Sequence, residues 1–495
     1  MRADERTAFG LALMPVVVTV AILGAQLAGW RLGHAAWILG IGLGLAGLLG
    51  WWFRQAIGWT LLFFWALGCG LWIGQAALIT CHGRGFGSWD WSNYYHIASV
   101  VTGWMREGWP PVIPGRPALV AVWSALPLTL SPTYGTFQVM MILANATLLP
   151  VVWLWGARLE GRRGAIGAVC CVLLSAAIGT WSIYTSPYVL AAALTLLALY
   201  CWTIGWPLLA GLVWAVAFQA HVTAGLYAAA FFASVILLRG LRPCFLTLAV
   251  YGALMGAWVW VLRERFPQEW LMHTPYVLPG VHRGLTDYLL RVSVLLTYAQ
   301  QAAYPGNLWS AIATAWSTDP HAIIWDWVLA WTTCTYVTLL PLIGLVALPG
   351  GLIRWCWRRQ PINGMLLSTL LLGALLSWLM IPIDTAGKGL PMTAQQIPTV
   401  VGLMILAGAA IWTLPAWSRW PLAGLSVMQY GAVTGLWLWL ARYYPSDYDV
   451  RIKAAANIQY LSEWHPLVPI VGGVGASLCG VTLCWYARQK VMSTA

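Results

Sequence analysis

Long apolar runs separated by short charged loops are the feature that most constrains this chain. Lys and Arg number 26 and Asp and Glu 14 in 495 residues, so charged residues make up 8%, against about 25% in soluble domains. So few charges cannot cover a water-facing surface, whereas a bilayer needs polar side chains only at its two faces and in cavities. The sequence therefore predicts an all-α polytopic membrane protein and excludes a soluble fold.

Because one span needs about 20 apolar residues, we expect about 13–14 transmembrane helices. The apolar runs lie near residues 8–29, 35–52, 56–80, 137–157, 164–181, 187–204, 207–220, 223–238, 244–262, 324–349, 364–382, 395–416, 421–442 and 467–487. The first run is longer than the apolar part of a signal peptide and a second run follows it, so we interpret it as a retained anchor.

Arginine clusters predict which loops face inward. They lie in the short loops 158–163, 239–242, 354–359 and 488–490, which the positive-inside rule places in the cytoplasm together with both termini. The long polar segments 81–136, 263–323, 383–394 and 443–466, which hold most of the carboxylates and histidines, then face outward. We expect the working face of the protein to be external.

The first outer loop holds the densest polar stretch and the candidate catalytic residue. Asp90 lies between Trp89 and Trp91, whose apolar surfaces favour general-base behaviour of a carboxylate. Arg84, His96 and Arg116 supply nearby cationic or hydrogen-bonding groups. One carboxylate among cations suits attack by a hydroxyl with departure of a phosphate, although a lone aspartate in a loop is more often simply solvated. Apolar residues at helical spacing near 94–104 predict an interfacial helix in this loop. A second apolar stretch at 118–130 is too short to span a membrane and carries Pro127, so it is interpreted as another interfacial helix.

The order of these features resembles a known family. Tyr-Tyr-His at 94–96 and Gly-Trp-Pro-Pro at 108–111 are followed by Gly-Ala-Arg-Leu-Glu-Gly-Arg-Arg at 156–163 and Tyr-Thr-Ser-Pro-Tyr at 184–188. Over residues 55–240 this resembles the amino-terminal half of the GT-C membrane glycosyltransferases, which include protein mannosyltransferases and aminoarabinose lipid A transferases. The rest of the chain is similar only in general layout.

The resemblance implies a polyprenyl-phosphate-linked sugar donor, an inverting transfer at the outer membrane face, and Asp90 as the catalytic aspartate. It divides the chain into two extra amino-terminal helices (1–54), a GT-C-like catalytic half (55–262), the second outer loop (263–323) and carboxy-terminal helices (324–495). Many relatives carry a paired acidic motif, but Asp90 has no adjacent carboxylate, which speaks against a metal-bridged mechanism.

Further polar positions are candidates for donor binding. We expect His273 and Arg283 in the second outer loop to contact the donor, and Lys388 to bind its phosphate; solvated loop residues and a snorkelling lysine are the alternatives. Gln219 and His221 interrupt an apolar run and either end a helix at the outer interface or line a cavity. The spacing of His82, Asp90 and His96 matches no common metal-ligand motif, so no cofactor is expected.

The sequence thus predicts a glycosyltransferase that moves a sugar from a polyprenyl-phosphate donor to an acceptor hydroxyl. Two alternatives stay open: a transporter or flippase of an anionic lipid or lipid-linked sugar, and an enzyme similar to an O-antigen ligase or polymerase that uses the 263–323 loop. The net charge of +12 is dispersed among membrane loops, so nucleic acid is not an expected partner. The identity of the sugar, the acceptor (lipid, protein or polysaccharide) and the oligomeric state are not specified by the sequence.

Overall fold

In a computed structural model the described part of the chain is almost entirely α-helical. The structure describes residues 3–27, 58–80, 95, 98–99, 123–124, 127–128, 134–183, 187–265, 361–380 and 397–443. Its helices are α1 Ala3–Leu27, α2 Trp59–Thr80, α3 Tyr134–Asn145, α4 Leu148–Leu173, α5 Ala176–Ile183, α6 Tyr188–Thr203, α7 Pro207–Ala220, α8 Thr223–Arg239, α9 Phe245–Arg265, α10 Pro361–Met380, α11 Ile397–Ala410 and α12 Ala416–Tyr443. No β-strand occurs in these ranges.

Helix boundaries follow the ends of the apolar runs. The run predicted at 207–220 is helix α7 residue for residue, with proline at its first position, where the missing N–H is not needed. Gly205 lies between α6 and α7, and Gly240 directly follows α8. Their φ values of +83° and +82° are in the left-handed region that glycine favours at helix ends. The predicted all-α class is confirmed; the runs at 35–52, 324–349 and 467–487 lie outside the described residues.

Two of the predicted spans are broken near their middles. Run 137–157 is divided between α3 and α4, because Pro150 has no N–H to bond to the carbonyl of Ala146 and its ring crowds that carbonyl. Run 164–181 is divided between α4 and α5, where the Ser175 hydroxyl accepts a hydrogen bond from the Ile178 N–H at 3.3 Å. Each break interrupts a helix within one predicted span, which the length of the apolar run does not predict.

A tight turn divides α4 into two antiparallel halves, 148–159 and 162–173. Glu160 (φ −140°) and Gly161 (φ +66°) leave the helical conformation at the turn. A Cβ on Gly156 would lie 2.6 Å from the Gly164 carbonyl oxygen, so the two halves are in backbone contact. This turn coincides with the loop 158–163 predicted between two spans.

The core of the bundle is built around α4 and α6. Helix α11 packs against both, α1 and α2 against α4, and α7 against α6; α8 packs on α10, and α9 on α7. Gly167 and Gly408 bring α4 and α11 into backbone contact, as small residues do between membrane helices. The largest fully buried side chains include Trp72, Trp153, Trp155 and Trp214.

Apolar side chains also cover the outside of the described bundle. Leu254, Leu371 and Val427 expose 40%, 52% and 55% of their side-chain surface, which water would penalise and lipid does not. Two segments, Trp59–Ala77 and Gly135–Leu173, are long and apolar enough to cross a membrane, although the second turns back at Gly161. With the composition, these features make the chain an all-α polytopic membrane protein.

Candidate functional site

One end of the bundle, here called the arginine-rich end, gathers the loop 158–163 with its neighbours. Arg158 donates to the Thr203 carbonyl at 3.1 Å, and Arg162 Nε lies 3.9 Å from Asp4 Oδ2. Trp412 Nε1 donates to the Arg163 carbonyl at 2.6 Å. The loop 158–163 therefore meets the amino-terminal helix and the segments at Thr203 and Trp412 at one end of the bundle; the predicted inward loops 354–359 and 488–490 lie outside the described residues.

Helix α1 is fixed to this end. Burial raises the pKa of the Asp4 carboxyl, and the nearby Arg162 guanidinium acts in the opposite direction. The Thr7 hydroxyl accepts a hydrogen bond from the Gly58 N–H at 2.9 Å, just before α2. The Phe9 ring packs edge-on against Trp206 at 5.1 Å. The first of the two extra helices is therefore part of the core.

The opposite end, here called the polar end, carries buried amide and hydroxyl groups from α3, α5, α6 and α8. Asn145 Nδ2 donates to the Ser182 carbonyl at 3.0 Å, and its Oδ1 accepts from the Leu190 N–H at 3.1 Å. Gln138 Nε2 donates to the Ile183 carbonyl at 3.0 Å. Two side chains of α3 thus hold both flanks of the short turn 184–188 that the sequence resemblance includes.

His221 contributes the ionisable group of the polar end. It follows the last residue of α7, so the predicted helix end is confirmed, yet the side chain is only 8% exposed. Its Nδ1 accepts a hydrogen bond from the Thr223 N–H at 3.2 Å and lies 2.6 Å from Thr223 Oγ1. Because a backbone N–H can only donate, Nδ1 is unprotonated and a neutral ring carries its proton on Nε2.

Aromatic contacts join His221 to the turn. Its ring centroid lies 4.5 Å from that of Tyr188, which in turn packs edge-on against Trp181 at 5.5 Å. These rings connect the start of α8 to α5 and α6. The three rings form a packed cluster in which Tyr188 and His221 are only 6% and 8% exposed.

Several buried polar atoms at the polar end have no hydrogen-bond partner among the described residues. They are Gln138 Oε1, Ser182 Oγ and Gln219 Oε1. Such atoms are uncommon in folded proteins, since each costs about 1–3 kcal/mol when it is left unpaired. Polar atoms concentrated at this end give it hydrogen-bonding capacity that the described contacts do not use.

Parts of the first outer loop pack on the same helix, α3. The ring of Tyr95, five positions after Asp90 in sequence, lies 5.6 Å from that of Phe137. Trp123 Nε1 donates to the Met140 carbonyl at 2.9 Å. Residues 95, 98–99, 123–124 and 127–128 are helical, in the regions where interfacial helices are predicted. The loop is thereby anchored one turn or less from Gln138.

The predicted site residues themselves lie outside the described residues. They are Asp90, Arg84, His96, Arg116, His273, Arg283 and Lys388. Their roles stay predictions. Among the residues that the structure does describe, no group of three or more His, Cys, Asp or Glu side chains is placed to hold a metal ion.

Sequence reasoning missed Gln138 and Asn145, although both are visible as polar interruptions of an apolar run. Polar residues inside membrane spans are costly and usually face the protein interior. That signal alone predicts burial of these amides, but it does not predict that they would hold the turn at 184–188.

The fold of this chain is similar to solved structures of membrane glycosyltransferases. No protein-family model matches the sequence, and no curated protein matches it. The structure resembles that of ArnT from Cupriavidus metallidurans, solved with undecaprenyl phosphate, at 13% identity and a TM-score of 0.44, over 86% of this chain and 78% of that one. It also resembles the oligosaccharyltransferase AglB from Archaeoglobus fulgidus, solved with an inhibitory peptide and a dolichol-phosphate, at 12% identity and a TM-score of 0.39, over 77% of this chain.

Both are GT-C glycosyltransferases, the group that the sequence resembles. The chain spans 56% of the length of AglB. With TM-scores below 0.5 and identities of 12–13%, no residue of this chain is assigned a role from these structures.

Proposed function

We propose that this protein is a membrane glycosyltransferase that moves a sugar from a polyprenyl-phosphate donor to an acceptor hydroxyl at the outer, periplasmic face of a bacterial inner membrane. The observation that carries the proposal is the first outer loop, in which Asp90 stands between two tryptophans and among cationic residues. Anchoring of Tyr95 and Trp123 on α3 supports it, since both flank the predicted site in sequence and contact the polar end.

In the proposed reaction Asp90 acts as general base. Its carboxylate takes the proton of the acceptor hydroxyl while that oxygen forms a bond to the anomeric carbon. The bond from this carbon to the phosphate oxygen breaks, and the electron pair leaves with the polyprenyl phosphate. Attack on the face opposite the leaving group inverts the anomeric configuration.

Cationic side chains stabilise the departing phosphate. Arg84 and Arg116 offer planar pairs of N–H donors, and Lys388 offers a point charge. The leaving group needs no proton because it is already a stable anion, so one carboxylate suffices for the acid–base chemistry. His96, His273 and Arg283 complete the proposed contacts with the donor phosphate or sugar.

A lipid analysis of purified protein tests donor use. Wild type, Asp90→Asn and, as a matched control, Asp447→Asn from the last outer loop are purified in detergent and examined by native mass spectrometry. We expect Asp90→Asn to retain a polyprenyl phosphate bearing a sugar, because binding continues while turnover stops, and the other two proteins to retain less of it. Absence of any lipid-linked sugar, with no binding of added polyprenyl phosphate, would overturn the proposal in favour of a transporter.

A further inference from the structure

Two exposed arginines lie in the short connection between α8 and α9. Arg239 is the last residue of α8, Gly240 turns the chain with φ +82°, and Arg242 begins a 3₁₀ helix. The Arg239 guanidinium carbon lies 5.9 Å from the centre of the Trp202 ring, and Trp202 Nε1 donates to the Pro243 carbonyl at 3.3 Å. The indole of α6 thus fixes the position of the connection.

Both arginine side chains are exposed. At the same end, Arg162 pairs with Asp4 at 3.9 Å. Among the described residues, no carboxylate lies within ion-pair distance of Arg239 or Arg242. The connection therefore presents two full positive charges to its surroundings.

Exposed apolar side chains surround the arginine pair. Leu237 and Leu238 expose 82% and 64% of their surface. Leu241, Phe245 and Leu246 expose between 49% and 58%. Exposed apolar side chains around arginines are typical of the depth where the hydrocarbon region of a membrane meets the headgroups. At that depth the leucines contact acyl chains and the guanidinium groups contact phosphate.

We propose that this connection is a binding site for an anionic phospholipid in the membrane leaflet at the arginine-rich end. Arg239 and Arg242 donate pairs of N–H groups to the headgroup phosphate, and the leucines at 237, 238 and 241 contact the acyl chains. The site selects phosphatidylglycerol-type lipids over zwitterionic ones, because a choline group already neutralises its own phosphate. A free phosphate ion gains nothing from the apolar side chains and binds more weakly.

A competition experiment tests the site. Purified protein is titrated with phosphatidylglycerol or phosphatidylcholine and bound lipid is counted by native mass spectrometry. Wild type is expected to prefer phosphatidylglycerol. The double variant Arg239→Gln, Arg242→Gln is expected to bind it about thirtyfold more weakly, since each arginine near a membrane surface contributes about 1 kcal/mol of attraction to anionic lipid. The matched control is Arg6→Gln, Arg163→Gln, which removes two exposed arginines from the same end and is expected to bind as wild type does.

Three results would overturn the proposal: equal loss of phosphatidylglycerol in both double variants, equal binding of the two lipids by wild type, or displacement of the lipid by millimolar inorganic phosphate. The first would mean general charge attraction only, and the third a site for a soluble anion. If the double glutamine variant does not purify, Arg239→Lys with Arg242→Lys keeps the charge, and an intermediate loss is expected because lysine cannot make paired contacts.

Discussion

The hydroxyl of Tyr430 in α12 donates a hydrogen bond of 2.6 Å to Gln75 Oε1 in α2, joining residues 355 positions apart. Tyr430 is 9% exposed and Gln75 4%, so the bond is made away from solvent. Beneath the phenol ring lies Gly179 of α5, where an added Cβ would come within 2.6 Å of the hydroxyl oxygen. Three helices that are distant in sequence therefore meet at one polar contact.

Replacing Tyr430 with phenylalanine removes this hydrogen bond and keeps the ring on Gly179. We expect the protein to lose about 1 kcal/mol of stability, the usual net value of a buried hydrogen bond. The midpoint of thermal unfolding in detergent is expected to fall by about 1–3 °C. An unchanged midpoint would show that the bond contributes nothing to the attachment of α12.

Because the two halves of α4 are in backbone contact, replacing a glycine at that contact is expected to destabilise the protein more than replacing a glycine elsewhere. In Gly156→Ala the new Cβ meets backbone atoms of Gly164 and Ala165 at 2.6–2.7 Å, which cannot move without opening the turn. We expect a loss of about 1–3 kcal/mol. The matched control is Gly252→Ala in α9, where nothing lies within 4 Å and alanine favours the helix. Thermal unfolding of both variants gives the comparison, and equal midpoints would contradict the backbone contact.

His221 allows its hydrogen bond and its ring contact to be separated. His221→Ala removes both the acceptor for the Thr223 N–H and the contact with Tyr188, and we expect a loss of about 1 kcal/mol or more. Asn places an oxygen at nearly the position of Nδ1, so His221→Asn is expected to recover part of that loss. Should asparagine prove no better than alanine in thermal unfolding, the hydrogen bond would not be what stabilises the start of α8.

Asp4 predicts a pH dependence of stability. Its pKa is raised above the ordinary 3.8, chiefly by burial. The folded state therefore binds the proton more tightly than the unfolded state, and the stabilisation from this group, complete below pH 3.8, is lost as pH rises through the folded value. Asp4→Asn is expected to flatten this part of the stability curve, while Arg162→Gln steepens it. The test is the midpoint of thermal unfolding, measured at several pH values across the acid range. Identical dependence of this midpoint on pH in wild type and Asp4→Asn would contradict the raised pKa of Asp4.

Helix positions in this chain were predictable because each apolar run ends where a charged or glycine-containing loop begins. The match of α7 to run 207–220 illustrates this. The break at Ala146 has a signal in the sequence, Pro150, which the apolar-run analysis did not use. The break at Ser175 was not predictable, since an apolar run has the same composition whether its helix is continuous or broken. The contacts at the polar end were not predictable for another reason. Asn145 bonds to backbone groups of Ser182 and Leu190, and backbone groups are the same in almost every residue, so the sequence does not identify them as partners.

In the proposed reaction Asp90 is the general base of sugar transfer. The direct measurement compares purified wild-type, Asp90→Asn and Asp447→Asn proteins. Each protein is mixed with the same membrane extract, and the transfer of radiolabelled sugar from a polyprenyl-phosphate donor is measured. We expect Asp90→Asn to lose at least about a hundredfold in rate, as removal of a general base does, and Asp447→Asn to stay near wild type. Transfer by Asp90→Asn at the wild-type rate would contradict this role of Asp90.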